Sequence, residues 1–100
     1  MSGIERFAKE RARQKQVEEY STEHDDEYEN GELLGAAICY STYALYQGGG
    51  RLSDPHLSDA IEAYWPWPEQ FWKPADTPMR NLEKAGALLA AHVDLLERQA

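Results

Sequence analysis

The sequence predicts an all-α fold: a small three-helix domain with a long, ordered Trp/Pro-rich loop before the last helix. Three observations predict it. Apolar residues recur at the three-and-four spacing of a buried helical face in two long segments. Residues that start helices stand at the head of three segments. No segment shows the period-two alternation of a strand. One hundred residues make one domain, 1–100, able to bury roughly two-thirds of its unfolded surface.

The first helix is expected over about residues 3–19. Ser2 and Glu5 have the spacing of a capping box, and no Gly or Pro interrupts the stretch from Ile4 to Glu19. Ile4, Phe7, Ala8 and Ala12 give it a thin apolar stripe. Its charge is basic, from Arg6, Lys9, Arg11, Arg13 and Lys15. The sign then reverses: eight acids and no Lys or Arg lie between Glu18 and Glu32. Ser21-Thr22 and Asn30-Gly31 bracket this acidic stretch, which reads as a loop or short helical turn.

A second helix is expected over 30–47, with Asn30 as its N-cap and Glu32 in its first turn, at the positive end of the helix dipole. Leu33, Ala37, Tyr40 and Ala44 form one stripe; Leu34, Ile38 and Leu45 form the next. Apolar over more than half its circumference, it should be central. Gly48-Gly49-Gly50 ends it. Residues 48–77 read as the connecting loop, flexible at first, with one helical turn over Ser58 to Tyr64. The third helix is expected over 78–98. Thr77 would cap it with Pro78 at its first position. Leu82, Ala85, Leu89, Val93 and Leu96 read as its buried face. Gly35-Ala36-Ala37 and Ala85-Gly86-Ala87 would let the second and third helices approach closely.

Several function classes are disfavoured. The net charge of −8 argues against nucleic-acid binding, which needs basic stripes, and against an anionic membrane surface. No apolar run of about 18 residues offers a membrane span. The charged start, MSGIERFAKERARQ, lacks the apolar stretch of a signal peptide. The lone cysteine, Cys39, excludes an intrachain disulfide and fits a reducing compartment, the cytoplasm. Cys39 reads as a small buried hydrophobe. There is no Ser-His-Asp order, no Gly-rich phosphate loop and no zinc spacing. His56 and His92 have no evident partners.

Two constellations could carry chemistry. His24-Asp25-Asp26, with Glu29 and Glu32, could hold a divalent cation and activate water, or could simply cap and solvate a turn. Glu29 and Glu32 make one ExxE pair, as in the all-α nucleotide pyrophosphohydrolases. The third helix offers Glu83 and Asp94, at the wrong spacing for the second half of that motif. The other constellation is WPWPEQFWKP, residues 65–74, with all three tryptophans of the chain. Trp65, Trp67 and Trp72 precede Lys73, Arg80 and Lys84. Indole faces stack on bases, Arg and Lys match phosphate oxygens, and a helix start favours anions. The same indoles could instead be core. Tyr40, Tyr43 and Tyr46 read as packing on the second helix or as a dimer surface.

The strings Glu23-His24-Asp25-Asp26, Gly31-Glu32-Leu33, Ala36-Ala37 and Tyr40 resemble a small family of tailed-phage and prophage proteins of unknown function. So do Trp65-Pro66-Trp67, Phe71-Trp72-Lys73-Pro74 and Arg80-Asn81-Leu82-Glu83-Lys84-Ala85-Gly86-Ala87-Leu88. The basic first helix, around Glu10-Arg11-Ala12-Arg13-Gln14, fits as well. The resemblance implies a phage accessory protein in a bacterial host cytoplasm, with a role in host takeover or counter-defence. This chain departs from the pattern at Glu19-Tyr20, where the family has Gly-Trp, and at Tyr28, where it has a second His. A third departure is Ala91-His92-Val93, for Ala-Glu-Ile. Two plausible metal ligands are thereby absent.

The resulting expectation is a binding protein without catalysis, metal or cofactor, which sequesters a small anionic, nucleotide-like ligand. Its site residues would be His24, Asp25, Trp67, Trp72, Lys73, Arg80, Asn81 and Lys84. A thin core would favour a homo-oligomer. The alternatives are a metal-dependent nucleotide hydrolase using His24, Asp25, Asp26, Glu29 and Glu32, and a module that binds a host protein through its tryptophans.

Overall fold

The computed structural model describes residues 1–16 and 22–100. Among them the chain is all-helical: α1 Gly3–Gln16, α2 Thr22–Asp26, α3 Glu32–Gln47, α4 Asp54–Tyr64 and α5 Pro78–Gln99, with a 3-10 turn at Glu69–Phe71. No strand occurs among the described residues. None of their helices is long and apolar enough to cross a membrane. The expected end of the first helix near residue 19 lies outside the described residues, as do Glu18, Glu19, Tyr20 and Ser21.

The core is the α3–α5 pair. The bond between Gln47, last residue of α3, and Asn81, in the first turn of α5, sets the two helices antiparallel. Leu33, Ala36, Ala37 and Tyr40 of α3 meet Ala85, Leu88, Ala91 and Leu95 of α5. The small residues let the backbones close, as expected. The glycines among them serve other neighbours. A Cβ on Gly35 would stand 2.6 Å from the backbone oxygen of Tyr64, so this glycine lets the end of α4 lie directly on α3. A Cβ on Gly86 would meet the Phe7 ring, which covers α5 from α1.

The buried face of α5 differs from the expected one. Ala85 is inside, but Leu82, Leu89, Val93 and Leu96 are roughly half-exposed, together with Met79. Both stripes obey the helical period, so spacing alone cannot rank them. The small-residue side lies inward because it alone lets two backbones approach.

α1 also turns its polar side inward. Ile4, Ala8 and Ala12 are exposed, whereas Glu10, Arg11 and Gln14 are buried. The capping box forms as expected: the Glu5 amide donates to Ser2 Oγ at 3.1 Å, and the Ser2 amide donates to Glu5 Oε1 at 2.9 Å. The start of α3 corrects the Asn30 cap. Gly31 holds the cap position at φ 82°, with no side-chain cap bond. Asn30 sits one residue further out, and its amide donates to Glu32 Oε1 at 2.7 Å. A left-handed entry residue suits glycine, which has no Cβ to clash.

The largest correction is α4, eleven residues where a flexible connection with one turn was expected. Its start signal is plain: Ser53 Oγ accepts from the His56 amide at 3.3 Å, Asp54 lies in the first turn, and a proline follows. α4 packs on α3, and the Tyr46 hydroxyl donates to Asp54 at its start. α5 begins as read: Thr77 Oγ1 accepts from the Arg80 amide at 3.3 Å, with Pro78 at the first position.

Candidate functional site

After α4 the chain cannot continue as helix, because Pro66, Pro68 and Pro74 remove donors and fix the backbone. Residues 65–74 instead lay three indoles over the α3–α5 core, where Trp65, Trp67 and Trp72 pack half-buried. Trp65 anchors the segment, its indole N–H donating to the Pro68 carbonyl at 3.2 Å. Aromatic rings then run in a continuous series. His24 meets Tyr28 at 5.1 Å, Tyr28 meets Trp67 at 5.2 Å, and Trp67 meets Trp65 at 5.3 Å. Trp65 meets Trp72 at 4.9 Å, and Trp72 meets Tyr43 at 5.9 Å. Most of these contacts are edge-to-face, the preferred geometry of quadrupolar rings.

One side of this series closes over a cavity of about 420 Å³, within the usual range for a small-molecule pocket. Its aromatic lining is Tyr28, Tyr40, Trp65, Trp67 and Phe71. Its polar lining comes from three directions: Glu10, Arg13 and Gln14 from α1, His24 from α2, and Lys73 and Lys84 from either side of the start of α5.

The polar groups are held in place. His24 Nδ1 lies 3.0 Å from Asp25 Oδ1, and His24 Nε2 lies 3.3 Å from the Tyr28 hydroxyl. Arg13 donates to both oxygens of Glu10, at 2.8 and 2.9 Å. Arg80 adds a third bond to Glu10 at 2.7 Å. Burial pushes the Glu10 carboxyl up, but the bonds and charges of Arg13 and Arg80 outweigh it. The net result lies below the ordinary carboxylate value. Lys84 Nζ lies 5.4 Å from the centre of the Tyr40 ring and donates to the Lys73 carbonyl at 3.3 Å.

Two buried polar atoms on the lining residues make no hydrogen bond among the described residues. They are Gln14 Oε1, an acceptor, and Trp67 Nε1, a donor. Gln14 is only 4% exposed. A buried polar atom without a partner is costly.

The structure therefore sorts the eight candidate residues. His24, Trp67, Lys73 and Lys84 line the cavity. Asp25 does not; it is fully buried behind His24, 3.0 Å from Arg11 Nη2. Asn81 is likewise fully buried. Its Nδ2 donates to Gln47 at 2.7 Å and to the Ala75 carbonyl at 3.0 Å, while its Oδ1 accepts from the Ala75 amide at 2.8 Å. Arg80 is held by Glu10 and Glu83, which lie 2.7 and 3.2 Å away. Trp72 packs on Tyr40 and Tyr43 and lines a second cavity instead. Sequence reasoning missed Glu10, Arg13, Gln14, Tyr28 and Tyr40. The basic, Gln-containing pattern of α1 was the available signal.

Asp25 and Asp26 diverge, Asp25 toward Arg11 and Asp26 toward Arg98 at 2.8 Å. Among the described residues no three His, Cys, Asp or Glu side chains converge to hold a metal ion. Cys39 is buried, and burial pushes its thiol up to about 11, away from thiolate chemistry. No protein-family model, curated protein or solved structure compared with this chain matches it.

Proposed function

We propose that the 420 Å³ cavity binds a small anionic, base-containing ligand of the nucleotide class and holds it without converting it. One observation carries this reading: aromatic side chains and the two lysines Lys73 and Lys84 line one cavity. Stacking a base on an indole contributes roughly 1–3 kcal/mol. Lys73 and Lys84 supply charge for phosphates. Arg13 contributes less charge, because Glu10 already accepts two bonds from it.

Asp25 and Asp26 are each engaged by an arginine, which favours binding over metal-dependent hydrolysis. The biological setting that accords with a non-catalytic binder is phage counter-defence, in which a nucleotide signal is hidden rather than cleaved.

Thermal unfolding across mononucleotides and cyclic dinucleotides tests the reading. A ligand present at 100 times its Kd is expected to stabilise by about 2.7 kcal/mol, which corresponds to roughly 10–20 °C in Tm for a domain of this size. The shift should vanish in Lys73→Gln/Lys84→Gln. A flat panel, or a shift that survives the double variant, would count against the proposal.

A further inference from the structure

Trp65 and Trp67 border a second cavity, of about 610 Å³. Its other lining residues differ from those of the first. Leu57 and Ile61 of α4 contribute apolar surface, and Tyr43 and Trp72 contribute rings. The rings meet at steep angles: 64° between Trp65 and Trp72, 75° between Tyr43 and Trp72, and 89° between Trp65 and Trp67. Tyr40 lies flatter on Trp72, at 40°, from the core side.

The charge of this cleft is opposite to that of the first cavity. Its charged residues are Glu62 and Glu69, and among the described residues no Lys, Arg or His lines it. Both carboxylates are exposed, and neither is held by a cation among the described residues. Indole faces attract cations through the ring quadrupole. Carboxylates attract them by charge. A bare metal ion would want several converging oxygens, and among the described residues no three His, Cys, Asp or Glu side chains converge.

We propose that this cleft is a site for an organic polycation of the alkyl-ammonium class. The methylene chain lies against Leu57 and Ile61. The ammonium groups sit against the indoles that line the cleft and beside Glu62 and Glu69. The site is independent of the nucleotide reading, since it shares only the two tryptophans with the first cavity.

Titration of the full chain with spermidine, followed by tryptophan fluorescence at low ionic strength, is expected to saturate. Glu62→Gln/Glu69→Gln should weaken the apparent affinity about tenfold, from the loss of two exposed charge pairs. The double variant should keep the parent Tm, because both side chains are exposed and unpaired. Magnesium at equal ionic strength should give no saturable signal. Three outcomes would overturn the proposal. They are no saturation with spermidine, an equal response to magnesium, and unchanged affinity in the double variant. A lysine-rich peptide that binds where spermidine does not would also overturn it, by assigning the cleft to a protein partner.

Discussion

Asp25→Ala is expected to destabilise the protein by about 3–5 kcal/mol, because it strands a buried guanidinium. Asp25 is 0% exposed, and Arg11 is buried against it at 3.0 Å. Arg11 already keeps Nε and Nη1 without partners among the described residues. Its remaining acid would be Asp94, at 3.5 Å and half-exposed. Removing one member of a buried pair costs far more than replacing both, since the survivor cannot recover its water. Arg11→Met/Asp25→Leu should therefore recover much of the loss. Chemical denaturation of the two variants checks this. In a domain of this size the single change should lower Tm by more than about 12 °C. A loss in Asp25→Ala below about 1 kcal/mol, the scale of a surface pair, would mean that the pair does not hold α1 and α2 in place. The same variant should also weaken ligand binding, because Asp25 orients the His24 ring at 3.0 Å.

Asn81→Ala is expected to cost about 3 kcal/mol through three lost bonds. Asn81 joins the end of α3 to the segment that carries Lys73. It binds Gln47 on one side and both backbone groups of Ala75 on the other. Gln47 Nε2 also donates to the Ala75 carbonyl at 3.0 Å, so the change loosens a four-way junction. Asn81→Leu separates the causes, because it restores side-chain volume without the bonds. If Asn81→Leu matches the parent protein in urea denaturation, packing holds the junction and the hydrogen bonds do not. Hydrogen exchange adds a local readout: the Ala75 amide should exchange faster in both variants.

Much of the fold was legible because helix starts are local. Ser2 with Glu5, and Thr77 with Pro78, form the bonds their spacing implies. Ser53-Asp54-Pro55 carried the same kind of signal for α4. It was obscured by the three glycines before it, which suggest a flexible run. The inward face of α5 was not legible, because two stripes share one period and only the partner helix chooses between them. The site divides in the same way. The tryptophans and lysines stand out in the sequence. The α1 residues of the cavity do not, since their place depends on pairs such as Glu10 with Arg80, 70 positions apart. Asn81 looked like a ligand contact from its neighbours Arg80 and Lys84. Its true environment is set by Gln47, 34 positions away.

The outer stripe of α5 has a colloidal consequence. Leu82, Leu89, Val93 and Leu96 leave an apolar band along a helix of 22 residues. At pH 7 the net charge of −8 opposes the association of copies through this band. That protection fades as the solution approaches the isoelectric point, near 4.7. Light scattering should therefore rise as the pH is lowered toward that value. Leu89→Lys/Val93→Glu, which interrupts the band without altering net charge, should suppress the rise. The acids of the chain thus oppose the self-association that this band invites.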